Sequence, residues 1–518
     1  MRSIPTAASA AIFAAASLAA ACGDNSGPAT PADADEQDAS RDPDAASPDP
    51  DAASPGPDAA PHDALPPPTG VPTVIALSAT GTDGFFGVAS DAAGNFYAVG
   101  VRAAGIDAAS DREMVVAKFL PNGTLDTGFG TDGLAVKNVA VGGGNGESAR
   151  GIVIQPGGKI VIGGAIEHDV TPEQPVLAAD RDVALVRFNP DGTVDRGFGT
   201  DGVVLLDLNS GLVVPAANPN DPPTLAGADQ FWSLGVYPDG RLLVHGAQRT
   251  TITDPPATEG GPRLPRRDTD WAMVRLTADG AVDGGFATGG KFTLDIQGAN
   301  ASARTAAILP DGSLIGAGYA NTPGLMSTQP VVYKLTADGA LDQRFGTGGI
   351  FHEIVLAVQA EAYGVAVQGD KLVTTGYGRN SGTTNDWVSI RLDASGALDR
   401  SWGQNGVVTV DVAGFGDNSR YVLGLPDRRI VLVGGGAPAM GQSDAMLVVL
   451  TENGAFDDSF APAGRKLFDL GGPSDFFWAG ALSPDGKRLA LAGLKGAGSS
   501  PTAESNDDAA ILVLPLAD

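Results

Sequence analysis

The chain has 518 residues, a formal net charge of −28, 72 glycines, 37 prolines and one cysteine. A single cysteine excludes a disulfide framework and a cysteine-based metal site. The acidic excess argues against nucleic acid as a partner, because carboxylates repel the phosphate backbone.

The N-terminus reads as an export signal. Arg2 supplies the positive charge, and the apolar stretch from Ala7 to Ala21 is too short for a membrane span, so residues 1–21 are expected to be a cleavable signal. It runs into Leu18-Ala19-Ala20-Ala21-Cys22-Gly23, which resembles the lipobox of bacterial lipoproteins, with the leucine one place further from the cysteine than that family usually has it. The resemblance implies lipidation at Cys22 and a location at the bacterial cell envelope, lipid-anchored at the outer membrane or cell surface. Residues 22–72 are rich in Ala, Pro, Asp and Ser and nearly free of large apolar side chains. Such a segment cannot bury enough surface to offset its ordering entropy, and it is expected to be a disordered tether.

Residues 73–518 are repetitive. The segments VVAKFLPNGTLDTGFGTDG, ALVRFNPDGTVDRGFGTDG, AMVRLTADGAVDGGFATGG, VVYKLTADGALDQRFGTGG, VSIRLDASGALDRSWGQNG and MLVVLTENGAFDDSFAPAG share a strand, a turn, an acidic residue and an aromatic followed by glycine or alanine. Their aromatics are Phe129, Phe198, Phe286, Phe345, Trp402 and Phe460. A period near 60 residues means one supersecondary unit used repeatedly. Each period holds four β-like runs, for example 202–208, 231–237, 240–246 and 271–276, the middle two joined by a Pro-Asp-Gly hairpin signal. The expected fold is an all-β, seven-bladed β-propeller of four-stranded antiparallel blades, starting near 73, 133, 202, 290, 349, 406 and 464, with six or eight blades as alternatives. Closure of the ring is open at this point: each end could supply a whole blade, or a terminal strand could pair across the seam.

This motif resembles the delta-60 repeat family, a propeller-like repeat of exported bacterial proteins, over most of residues 84–516. The resemblance implies the fold and no catalytic residues.

Asp126, Asp195, Asp283, Asp342, Asp399 and Asp457 each precede the junction aromatic by three residues. Each loop offers too few carboxylates for calcium, so they read as Asx-type turns, and the aromatics as plugs between blades. A candidate binding ring lies six residues before each hairpin proline: Arg150, Trp232, Arg304, Arg420 and Trp478, with Phe85 and Ala362 at the equivalent places where the proline is replaced. A candidate acidic ring lies at the start of the fourth run: Asp182, Asp270, Asp386, Asp444 and Asp508, with Glu113 alongside. Pairing between the two rings would lock neighbouring blades. The long insertions Glu167–Ala179, Asn209–Gln230, Gln248–Asp268 and Ala497–Asn506 all fall on one face, which is the expected binding face. His168, His245 and His352 share no repeat position, so no metal is expected, and no cofactor or catalytic constellation is evident.

The resulting expectation is a monomeric, membrane-anchored lipoprotein that binds a protein or glycan at the envelope, touching the membrane through its lipid alone. A propeller enzyme, hydrolase or lyase, with a site at the channel mouth and a purely structural envelope component are the alternatives.

Overall fold

The computed structural model describes residues 70–78, 83–103, 112–139, 147–167, 181–209, 212–214, 224–226, 229–249, 268–496 and 507–516. Cys22, all but the last three residues of the expected tether, His168 and most of the four insertions lie outside them. Among the described residues, secondary structure is β-strand apart from one 3-10 turn, Pro462–Gly464, and no helix is long and apolar enough to cross a membrane.

The strands form four-stranded antiparallel sheets. Gly84–Ser90, Phe96–Ala103, Arg112–Phe119 and Leu134–Lys137 make the first. The pattern repeats from Ser148–Ile154 to Val203–Leu206, from Gln230–Val236 to Lys291–Leu294, and from Asn418–Gly424 to Arg465–Phe468. Two further such sets, starting at Ala301–Ile308 and Gly364–Gln368, are joined into one nine-stranded sheet by the short strand Gln359–Ala360. Each first strand is innermost and touches the first strands on either side. Gly84–Ser90 touches both Ser148–Ile154 and, across the ends of the chain, Phe476–Leu482.

Two sequence expectations are corrected here. The run after each Phe-Gly junction does not open a new blade; Val203–Leu206, for instance, pairs with Arg181–Phe188 and completes the preceding sheet. The blade starts therefore move one strand downstream, from near 73 to Gly84 and from near 202 to Gln230. The junction turns the chain back on its own sheet through turns that bring Gly133 O to Lys118 N at 3.2 Å and pair Thr131 with Leu134. The same shift places the first strand: Thr73–Ile75 is the outer strand of the last sheet, antiparallel to Asp508–Pro515 with Thr73 opposite Ile511. N- and C-terminal strands thus share one sheet.

Neighbouring sheets are latched at the junctions. Phe129, Phe198, Phe286, Phe345, Trp402 and Phe460 are all buried, as expected of plugs. The residue after each of the first five donates its N–H to a carbonyl in the next repeat's turn, as in Gly346 N to Ser395 O at 2.7 Å. The turn glycine that follows packs directly on the aromatic. Gly396 has φ +80, and a Cβ there would lie 2.6 Å from Gly346 N and 2.8 Å from the Phe345 ring. Gly396→Ala is accordingly expected to destabilise the protein by about 2–3 kcal/mol, combining backbone strain with overpacking. Gly369→Ala, at φ +66 with nothing within 4 Å of the added carbon, carries the backbone cost alone. Urea unfolding of both variants separates the two contributions; equal losses would show that the inter-blade contact contributes nothing.

Candidate functional site

Six of the innermost strands break their own alternation near their starts, while Gly364–Gln368 pairs in continuous register. The pairing register shifts between Phe85 and Gly87, Ala149 and Gly151, Phe231 and Ser233, Ala303 and Thr305, Ser419 and Tyr421, and Phe477 and Ala479. A β-bulge adds one residue and re-aims its side chain. The bulged residues are Phe86, Arg150, Trp232, Arg304, Arg420 and Trp478, and with Tyr363 they line one central cavity of about 150 Å³.

Five members of the candidate ring therefore meet at the centre. Phe85 does not: it is fully buried in the core, edge-on to Phe119 at 6.0 Å, and Phe86 takes its place. Likewise Ala362 is buried and Tyr363 faces the cavity. Both positions come from repeats without the hairpin proline, where counting back from an absent anchor slips by one residue.

Around the cavity, aromatic and guanidinium groups alternate. The Arg150 guanidinium carbon lies 4.5 Å from the centre of the Trp232 ring, and that of Arg304 lies 4.0 Å from Trp232 and 4.3 Å from Tyr363. Arg420 lies 4.2 Å from Tyr363 and 5.0 Å from Trp478, whose ring meets Phe86 at 5.5 Å. Each desolvated cation–π contact is worth about 0.5–2 kcal/mol, so the ring holds its own geometry. Arg304 also donates to Ser302 Oγ at 2.9 Å and lies 3.9 Å from the buried Glu361 carboxylate. The result is a rigid mouth offering three guanidinium groups and flat apolar faces.

The acidic positions gather elsewhere on the same end of the sheets. Asp182 joins Asp207 and Asp229, Asp270 joins Asp268 and Asp295, Asp386 joins Asp411 and Asp417, and Asp444 joins Asp469 and Asp475. In each group one carboxylate oxygen per residue lies within 4.8 Å of the others. Asp508 lies 3.9 Å from Lys495, and Glu113 lies 2.9 Å from Arg102. Asp229, Asp417 and Asp475 escaped the sequence reading. Each stands just before an innermost strand and is almost wholly buried. Each accepts backbone N–H groups, as in Val412 N to Asp417 Oδ2 and Ala437 N to Asp417 Oδ1, both 2.7 Å. The signal was present, since Asp83 and Glu147 hold the same place in their repeats. Burial is the main cause that pushes Asp229 up to about 8, with Asp207 and Asp182 adding repulsion. Burial, then Asp411 and Asp417, pushes Asp386 up to about 7. Asp417 and Asp475 rise to about 6, again through burial.

The repeated Asp of the opposite end forms Asx-type turns, as the spacing implied. Asp195 Oδ1 accepts the N–H of Gly197, and Asp399 Oδ1 that of Ser401. Their other oxygen takes a cation that the sequence reading missed: Lys118, Arg187, Arg275, Lys334 and Arg391, each eight residues before its Asp. That spacing stands in five of the six quoted repeats, so it was legible. The sixth has Val449 there, and Arg429 reaches Asp457 instead at 3.0 Å.

His245 is wholly buried and held neutral, its pKa pushed down to about 3 by burial. His352 lies on an outer strand.

A family model described as a domain of unknown function (DUF5122) beta-propeller matches residues 155–198 and 309–345. Comparison with curated proteins finds no match. Among solved structures, a streptogramin B lyase is 10% identical with a TM-score of 0.40, over 86% of this chain and 98% of that one. Sqt1 from Chaetomium thermophilum is 13% identical with a TM-score of 0.37, over 86% and 100%. The β-propeller domain of the trilobed protease from Pyrococcus furiosus is 10% identical with a TM-score of 0.37, over 80% and 89%. The sheets described above and the family match agree on a β-propeller scaffold.

Proposed function

We propose that this chain is an exported lipoprotein, held at the cell envelope through Cys22, whose propeller of seven four-stranded blades closes into a ring and binds a protein or glycan at its central mouth. The observation that carries this reading is the convergence of the bulged residues on one cavity. Repetition alone would place similar residues at one height, but a bulge in six innermost strands costs ladder hydrogen bonds, and it aims an arginine or an aromatic inward each time. Such groups are the usual energetic anchors of binding sites. Three guanidinium groups beside flat rings suit an acidic group carried on an apolar or sugar face. The cavity is small, so it would take a terminal group of the ligand.

The seven-blade reading is supported by the strand pairing and by the contact between Gly84–Ser90 and Phe476–Leu482. The starts of the innermost strands lie on the end that carries the insertions, which supports a binding face there.

The test compares the full chain with an Arg150→Ala/Arg420→Ala variant that leaves the more deeply buried Arg304 in place. Both are screened against acidic and neutral oligosaccharides and in envelope crosslinking, after melting temperatures are matched. We expect the variant to lose binding at least about tenfold, as for an interface anchor. Equal binding by both proteins would remove the ring from the site.

A further inference from the structure

We propose that Asp182, Asp207 and Asp229 form a calcium site at the base of the Asn209–Gln230 insertion. Backbone pairing brings the three together. Val183 is opposite Leu206 in the antiparallel ladder, so Asp182 and Asp207 continue that register as a cross-strand pair. Asp229 is drawn to the same place by its N–H, which donates to Arg181 O at 3.0 Å. Like charges facing each other across a ladder are destabilising and call for a counter-charge.

Asp229 points to what supplies it. It is 1% exposed, and its Oδ2 accepts the N–H groups of Leu208 and Asn209. Its Oδ1 is buried with no hydrogen-bond partner. A buried acceptor left without a donor carries its full desolvation cost, and three carboxylates around it exclude an anion or a neutral acceptor as the occupant. A hard cation meets both conditions.

Coordination habit selects among hard cations. Calcium binds oxygen at about 2.3–2.6 Å, so ligands on opposite sides of the ion stand up to about 5 Å apart. Magnesium, at about 2.0–2.1 Å, demands near-octahedral geometry and keeps several waters, a poorer match to three convergent carboxylates. The oxygens here lie no more than 4.8 Å apart, inside the span of a calcium ion, whose variable ligand number and flexible geometry suit three carboxylates completed by water. Asp207 is exposed, leaving access for the ion and for water ligands. Because Asp207 and Asp229 flank the insertion, the ion would hold its two ends together.

The molecule carries its own comparators. Asp386, Asp411 and Asp417 occupy the same strand positions in another blade, as do Asp444, Asp469 and Asp475. There the third carboxylate is saturated: both oxygens of Asp417 accept N–H groups, from Val412 and Ala437, and both of Asp475 do, from Leu470 and Gly496. The orphaned oxygen thus sets the Asp229 group apart from these two groups.

The experiment titrates calcium into the EDTA-treated full chain, followed by calorimetry and thermal melting. Asp207→Asn is the primary variant because Asp207 is exposed and its loss spares the fold; Asp411→Asn is the matched change in the comparator. We expect wild type and Asp411→Asn to bind calcium and melt several degrees higher with it. Asp207→Asn should bind about one ion fewer per chain, and magnesium at equal concentration should give a smaller shift. No calcium bound by the wild type, or a wild-type isotherm from Asp207→Asn, overturns the site. Loss in Asp411→Asn with retention in Asp207→Asn does so as well.

Discussion

Arg391→Met is expected to destabilise the protein by about 3–5 kcal/mol, the loss typical of removing one partner from a buried ion pair. Arg391 is 2% exposed and acts at a junction of three elements. Its Nε donates to Asp399 Oδ2 at 2.9 Å, and Nη1 to Gln368 Oε1 at 2.9 Å and to Glu452 O of the next repeat at 2.6 Å. Its Nη2 donates to Ser401 Oγ, and its guanidinium lies 4.7 Å from the Trp402 ring centre. Burial works against the charge of Asp399, yet hydrogen bonds from Lys371 and Ser401 and the charge of Arg391 hold that carboxyl well below its usual range. Methionine fills similar space and offers none of these donors, leaving the Gln368 amide oxygen unmet and the Glu452 carbonyl and Asp399 carboxylate each short of one donor. Arg391→Lys should cost less, since Lys118 and Lys334 hold the equivalent place in other repeats, but a lysine cannot span two repeats with a fork. Arg344→Met breaks an ion pair with Asp342 in which the arginine is 86% exposed, and should change stability by less than about 1 kcal/mol. Urea unfolding of the three variants measures this order. A loss for Arg391→Met no larger than that for Arg344→Met would show that the latch is not what joins the blades.

The second large effect is on the pH profile. Stability should be greatest near pH 4–5 and fall by several kcal/mol, to order of magnitude, as the pH rises to 8. Folding raises the carboxyls of Asp386, Asp417 and Asp475 to about 7, 6 and 6. Unfolded, each titrates near the ordinary value of about 3.9. Between those limits the folded state binds more protons, so the slope of unfolding free energy with pH is negative. Their contribution is fully present below about pH 4 and is lost as the pH passes 6 to 7. The acid side is set by the opposite group. Asp126, Asp195, Asp283, Asp342 and Asp399 are lowered in the folded state, and what they contribute above about pH 4 is lost below it. Urea midpoints from pH 3.5 to 8 in EDTA trace the curve. A flat or rising profile between pH 5 and 7 would show that these buried carboxyls are ionised in the folded protein.

Local chemistry was legible in the chain. The strands, the Pro-Asp-Gly hairpins, the Asx-type turns at Asp195 and Asp399 and the buried junction aromatics all depend on neighbours within a few residues, and repetition printed each several times. The ring was legible too, residue for residue, wherever a hairpin proline anchored the count. Phe86 and Tyr363 were missed because their repeats lack the hairpin proline from which the count is made. Tertiary structure alone decided the rest. Whether the run after a Phe-Gly junction belongs to the sheet before or after it is a choice between two antiparallel neighbours, and periodicity is the same for both. Thr73–Ile75 found its partner more than four hundred residues away, across a seam that no local pattern marks. Asp229 meets Asp182 and Asp207 only because three strand ends from two sheets share one edge. Their charges are ordinary in sequence, and only proximity in a dry site gives them a chemistry.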